Sequence, residues 1–169
     1  ENFENNTFNV VTELPYKNKD EEFRPDIILL INGMPLAFIE VKKPNNRDGI
    51  IAERERINRR FQNKKFRKFV NITQLMVFSN NMEYDSEDIE PLQGAFYASP
   101  SYKKPTFNYF REDETLDLSE ILIDENDQLE DFVLKDNNLT VIKNSPEFQT
   151  NKDTNTPTNR VSTSLFSKD

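Results

Sequence analysis

The stretch from Arg24 to Pro44, Arg-Pro-Asp-Ile-Ile-Leu-Leu-Ile-Asn-Gly-Met-Pro-Leu-Ala-Phe-Ile-Glu-Val-Lys-Lys-Pro, constrains the fold more than any other part of the chain. Two apolar runs, Ile27 to Ile31 and Leu36 to Ile39, flank Asn32-Gly33. That dipeptide tolerates positive φ and is a strong hairpin signal. Runs this continuously apolar suit strands covered on both faces. Charge sits only at their outer ends, with Asp26 opening the first strand and Glu40 and Lys42 closing the second.

Side chains alternate along a strand, so Glu40 and Lys42 share one face and Val41 takes the other. A two-residue turn puts Ile31 opposite Met34 and Asp26 opposite Ile39, which leaves Asp26 one residue out of phase with Glu40. A longer turn or a β-bulge restores the phase, and bulges are frequent beside active sites. The sequence therefore predicts such an irregularity within this hairpin. Two carboxylates at one sheet edge form a hard oxygen site suited to Mg²⁺. An ammonium on the same face is placed to orient water and to stabilise charge on a phosphate, the parts that metal-assisted phosphodiester hydrolysis needs. Taken singly, each of these residues is better explained as a turn cap or a solvated strand end. The combination, with thirteen buried-type residues between Asp26 and Glu40, favours the site.

Composition narrows the chemistry. The chain has no histidine and no cysteine. That excludes a Ser-His-Asp triad, a histidine base, a thiolate metal site and a disulfide framework. Its 169 residues are enough for one domain with a core. No apolar run reaches bilayer length and no signal-peptide pattern is present, so no membrane partner and a cytoplasmic location are expected. Glu1 is not an initiating methionine, and the chain reads as an excised fragment. The net charge of −8 argues against general affinity for nucleic acid, but the charge is uneven. Arg54 to Lys68 holds eight basic residues and one acid, whereas Glu112 to Asp131 holds ten acids and no base.

Residues 7 to 14 alternate weakly and read as a strand, followed by a polar connection from Pro15 to Glu22. With the central hairpin this gives an antiparallel meander. Asn46 or Asp48 is placed to cap a helix over Ile50 to Phe69 whose apolar positions include Ile57, Phe61 and Phe69. On its other faces Arg54, Arg59, Arg60, Lys64 and Lys65 are the residues expected to contact DNA phosphates, although a solvated basic face is the plain alternative. Thr73 to Ser79 is an apolar strand, and strand-helix-strand order favours parallel pairing with the Glu40 strand. Gly94 to Ser99 is a further strand. The aromatic and basic segment from Lys103 to Phe110 suits base stacking or, more simply, edge packing. Leu116 to Leu134 fits one or two amphipathic helices, and residues 135 to 160 read as a partly irregular linker. The expected architecture is α/β, a mixed central β-sheet of four to six strands flanked by helices. Residues 1–112 are assigned to the core and 113–169 to an acidic helical segment and linker.

Pro25-Asp26 with Glu40-Val41-Lys42 resembles the motif of the PD-(D/E)xK nuclease superfamily. The wider string, Arg24-Pro25-Asp26, Asn32-Gly33, Pro35-Leu36 and Glu40-Val41-Lys42-Lys43-Pro44, resembles the N-terminal nuclease domain of the type I restriction enzyme R subunit. The resemblance covers about residues 7 to 110 well. It implies a restriction-endonuclease-like core in which Asp26 and Glu40 bind Mg²⁺, the Val41 carbonyl adds a ligand, and Lys42 assists the water. It also implies a Gln-x-x-x-Tyr pair on the following helix. Gln62 with Phe66 fits that spacing without the hydroxyl, and Asn58 and Phe61 are rival occupants. Superfamily members often add an acid from a helix before the first strand, and only Glu1, Glu4 and Glu13 precede Pro15 here. The implied partners are double-stranded DNA and the methylation and specificity subunits of a restriction-modification complex. Residues 156–161 resemble the lead-in to a helicase motor. ATP would be consumed in those motor domains, since this chain has three glycines and no Gly-x-x-x-x-Gly-Lys-Ser/Thr loop. Two rival functions stay open: a catalytically silent nuclease-fold scaffold that binds DNA, and a repair or junction nuclease of the same superfamily.

Overall fold

Asn32 and Gly33 turn the chain with φ of 51° and 79°, both in the left-handed region that this dipeptide accommodates. The computed structural model describes residues 2–43, 47–84, 87, 89, 91–100, 105–109, 127–146 and 156–166, with backbone only for 47–51, 127 and 129. The turn joins β4 (Ile27–Ile31) to β5 (Met34–Val41). Ile31 pairs with Met34 and Leu30 with Pro35, but Leu29 then pairs with Ala37. Leu36 is the extra residue, so the expected bulge is present. Pro35 has no N–H to give the ladder, which makes this the natural place for a defect. Beyond it Ile27 faces Ile39, and the same register continued by one residue sets Asp26 beside Glu40.

Three further strands complete a mixed sheet in the order β1-β4-β5-β6-β7. β1 (Phe8–Thr12) lies antiparallel to β4, as the meander reading expects. β6 (Leu75–Ser79) runs parallel to β5, and β7 (Ala95–Ala98) antiparallel to β6. The Pro15–Glu22 connection is not irregular. It folds as a two-stranded hairpin, β2 (Tyr16–Asn18) and β3 (Glu21–Phe23), turned by Lys19 at φ 59°. Strands of three residues are too short to show a periodic pattern, so the sequence hides them.

The single helix expected over Ile50 to Phe69 is two. α1 spans Arg47–Gln62 and α2 spans Arg67–Ile72, with a 3₁₀ turn at Lys64–Phe66 between them. Asn63 causes the break, because its side chain accepts the Lys65 N–H at 3.0 Å and so starts a new turn. One face of the sheet is covered by α1, α2 and the β2–β3 hairpin. Phe23, Phe38, Phe66 and Phe69 form its centre, with Phe23 and Phe69 rings 5.2 Å apart edge to face. Phe107 and Tyr109 pack against the same cluster, the edge-packing role rather than an exposed stacking platform. The rest of the aromatic segment, Lys103, Lys104 and Phe110, lies outside the described residues, as do residues 116–126.

The other face is covered near β6 and β7 by the last helix. After α3 (Asp127–Asp136), a helix α4 (Pro157–Phe166) buries Val161 completely against Ile39, Val77 and Ala95. Ser79 and Thr158 hydroxyls meet at 2.7 Å, and Arg160 pairs with Glu83 at 2.7 Å. The segment beginning at Thr156, expected as linker and a short apolar turn, is therefore a helix packed on the central sheet.

Candidate functional site

The bulge brings three sequence-expected residues to one place. Asp26, Glu40 and Lys42 all fall on the sheet face that α1 covers. Asp26 Oδ2 accepts the Val41 N–H at 2.7 Å, which ties the start of β4 to the end of β5. The Lys42 N–H donates to the Ser79 carbonyl at 2.8 Å, extending the parallel ladder one step past β5. Glu40 is 1% exposed. Lys42 Nζ lies 3.8 Å from Glu40 Oε2, and its side chain keeps an opening to solvent.

Helix α1 supplies the other wall. Glu53, Arg56 and Arg60 stand three and four residues apart, so they share one side of the helix. Glu53 is almost fully buried and lies 3.6 Å from Lys42 Nζ. Arg56 holds Glu53 at 2.5 Å and lies 3.8 Å from Glu40. Arg60 Nη1 is 3.6 Å from Glu40 Oε1 and 4.0 Å from Glu53. Its guanidinium also stacks on the Phe23 ring at 4.5 Å, a contact of the order of 1 kcal/mol. Burial and the neighbouring Arg56 pull the Arg60 pKa below its ordinary value.

Burial dominates the electrostatics of Glu40. Desolvation pushes its pKa up to about 7, and the charges of Asp26 and Glu53 push the same way. Arg60 and Lys42 oppose the rise without cancelling it. Perturbation of this kind concentrates at functional sites, where a charge is held in place for chemistry rather than for stability. Two buried atoms here, Glu40 Oε1 and Arg60 Nη1, lack any hydrogen-bond partner among the described residues. The 3.6 Å between them is too long for a hydrogen bond.

The remaining expected residues lie elsewhere. Gln62 is exposed at the last position of α1, and nine residues of helix put it half a turn round from Glu53. The pair four residues apart that faces Glu40 is Arg56 and Arg60, while Phe66 is part of the hydrophobic core. Arg54 lies over the Phe107 ring at 5.3 Å. Arg59 and Lys64 are exposed. Lys65 holds Asp20 and Glu21, each at 2.8 Å, and its hydrogen bonds keep both carboxyls below the usual range. Sequence reasoning misses Glu53 and Arg56. The available signal is the spacing Glu53, Ile57, Arg60, which places a carboxylate on the core-facing stripe of a helix where an apolar residue is the norm.

The donor chemistry suits a hard divalent cation. Asp26 and Glu40 offer carboxylate oxygens, the Val41 carbonyl follows Glu40 directly in sequence, and Glu40 Oε1 is a buried acceptor without a hydrogen-bond partner among the described residues. Among the described residues no cluster of three or more acidic, histidine or cysteine side chains forms a metal cage, so carbonyl and water oxygens would fill the rest of the shell. No described helix is long and apolar enough to cross a membrane.

No curated protein and no solved structure matches the chain. A family model, type I restriction enzyme R protein N terminus, matches residues 1–85, a span that holds Asp26, Glu40, Lys42 and the whole of α1 and α2. The chain thus belongs to the family of type I restriction enzyme R protein N-terminal regions.

Proposed function

We propose that this chain is a Mg²⁺-dependent DNA endonuclease module, the cleavage domain of a type I restriction R subunit. The single observation that carries the reading is the register of the β4–β5 hairpin, which sets Asp26 beside Glu40 and leaves Lys42 on the same face. Asp26, Glu40 and the Val41 carbonyl would hold the ion. When bound, Mg²⁺ supplies an activated water and neutralises charge on the phosphoryl oxygens.

The chain's own residues do the rest. Asp26 is fixed by the Val41 N–H, so its carboxylate is oriented before any ligand arrives. Lys42 is held between Glu40 and Glu53, which fixes its ammonium beside the acids of the site. It donates hydrogen bonds to the water or to the phosphate oxygen. Exposed Arg59 and Lys64 grip the backbone and read no sequence. Target choice then rests with methylation and specificity subunits, and ATP-driven translocation with motor domains outside this chain.

A silent, DNA-gripping scaffold is the second reading, and the two arginines against Glu40 are what favours it. Cleavage of supercoiled plasmid in Mg²⁺ or Mn²⁺ separates the two, with the complete R subunit and its partner subunits driving translocation. The endonuclease reading expects Lys42→Ala to bind the ion and cut at least about a hundredfold more slowly. Unchanged cutting by Lys42→Ala and Glu40→Gln would assign cleavage to another site and leave the scaffold reading.

A further inference from the structure

Arg56 and Arg60 have two environments at once. Toward the sheet they neutralise Glu40 and Glu53. Toward solvent the same two residues, with Arg59 and Asn63, line an open cleft between α1 and the β2–β3 hairpin. The acids on the far wall of that cleft are already engaged. Asp20 and Glu21 are held by Lys65, and Glu22 by Arg24 at 2.8 Å. Arg59 in the same wall is exposed.

The grip on Glu40 is loose. Arg56 and Arg60 approach it at 3.8 and 3.6 Å, as charges without a hydrogen bond, and Glu40 Oε1 and Arg60 Nη1 both stay orphaned. Such a contact compensates a buried carboxylate but forms no tight pair. A divalent cation on Glu40 would make that compensation redundant and would repel both guanidinium groups. Planar, always-charged guanidinium groups match phosphate oxygens in a two-pronged geometry.

We infer that Arg56 and Arg60 form a cation-released phosphate clamp: without a divalent ion they neutralise Glu40, and with one bound they release it and grip the DNA backbone beside the cut from the cleft they line, Arg56 keeping its hydrogen bonds to Glu53. The inference rests on the metal-site reading above. It makes metal and DNA binding mutually reinforcing, since coupling between two ligands is reciprocal. It also gives the Arg-x-x-x-Arg pair the place on α1 that the family resemblance assigns to a Gln-x-x-x-Tyr pair.

The test uses Mn²⁺ calorimetry and the anisotropy of a short fluorescein-labelled duplex with and without Ca²⁺, on wild type, Arg56→Gln and Arg60→Gln. Circular dichroism checks each fold. Arg56, nearly half exposed at its side chain, is the variant that keeps the test valid if Arg60→Gln unfolds. Each variant is expected to bind Mn²⁺ about tenfold more tightly than wild type, because a competing cation is gone. In wild type Ca²⁺ should tighten duplex binding about tenfold, and that gain should largely vanish in the variants. Binding of Mn²⁺ that the variants leave unchanged or weaken overturns the clamp alone. Failure of wild type to bind Mn²⁺ overturns the metal-site reading and the clamp with it.

Discussion

Asp26 reaches across the hairpin and accepts the Val41 N–H at 2.7 Å, so one acid of the site anchors the backbone that carries the other. A hydrogen bond to a charged acceptor is worth about 1.5–3 kcal/mol. Asp26→Ala should therefore lower unfolding stability by about 2 kcal/mol in the absence of metal. Asp26→Asn keeps an oxygen acceptor and should cost less than half of that, while removing the charge a cation needs. Denaturant melts of the two variants check this. Equal destabilisation would mean that the Val41 hydrogen bond does not hold the hairpin.

The pH dependence follows from Glu40. Its pKa rises from 4.5 to about 7 on folding, so the native state holds its proton more firmly than the unfolded chain. The associated stability is complete below pH 4.5 and is lost as pH climbs through 7. The full swing is about 3 kcal/mol. Metal-free protein should lose stability over that window, and Glu40→Gln should flatten the loss. Saturating Mg²⁺ should cancel the loss between pH 4.5 and 7, because the ion keeps Glu40 ionised in the native state as it already is in the unfolded chain. Thermal melts across the window, with and without Mg²⁺, are the measurement.

The basic face divides into used and unused charge. Arg59 and Lys64 are exposed, whereas Lys65 ties the β2–β3 hairpin to the turn before α2. Arg59→Ala with Lys64→Ala should reduce the slope of log affinity against log salt by about 0.9 for each phosphate no longer neutralised. Lys65→Ala should loosen the hairpin and change that slope less. Salt titrations of duplex binding distinguish the two kinds of residue.

Val161 makes α4 part of the core. It is fully buried against Ile39 and Val77, on the far side of the strand that carries Glu40. Val161→Ala should destabilise the sheet by about 2 kcal/mol. Thr158→Val should cost about 1 kcal/mol, since it leaves the buried Ser79 hydroxyl without that partner. If unfolding monitored at the sheet ignores both changes, α4 is peripheral.

The central hairpin was legible because two strong signals agree there: Asn32-Gly33 fixes the turn, and alternation fixes which side chains share a face. The bulge could be anticipated from the phase error between Asp26 and Glu40, and Pro35 gives it a place. The β2–β3 hairpin was not legible, since strands of three residues carry no period and the stretch is polar. The helix break at Asn63 was hidden by good helix formers on either side, Gln62 and Lys64 among them. Its cause, a side chain capping the next turn, is a local competition that apolar spacing does not report. Glu53 was missed because one acid in a basic helix looks like a solvated charge until the strand beneath it is in place. α4 was masked by a lead-in rich in Asn, Thr and Asp, and its helix is settled by the packing of Val161 on the sheet.

Whether Asp26 and Glu40 together hold a cation is decided by calorimetric titration of Mn²⁺ into wild type, Asp26→Asn and Glu40→Gln. A saturable heat is predicted in wild type and its disappearance in both variants, with circular dichroism unchanged. Binding that survives in both variants would contradict the assignment, because the ion would then sit somewhere other than between Asp26 and Glu40.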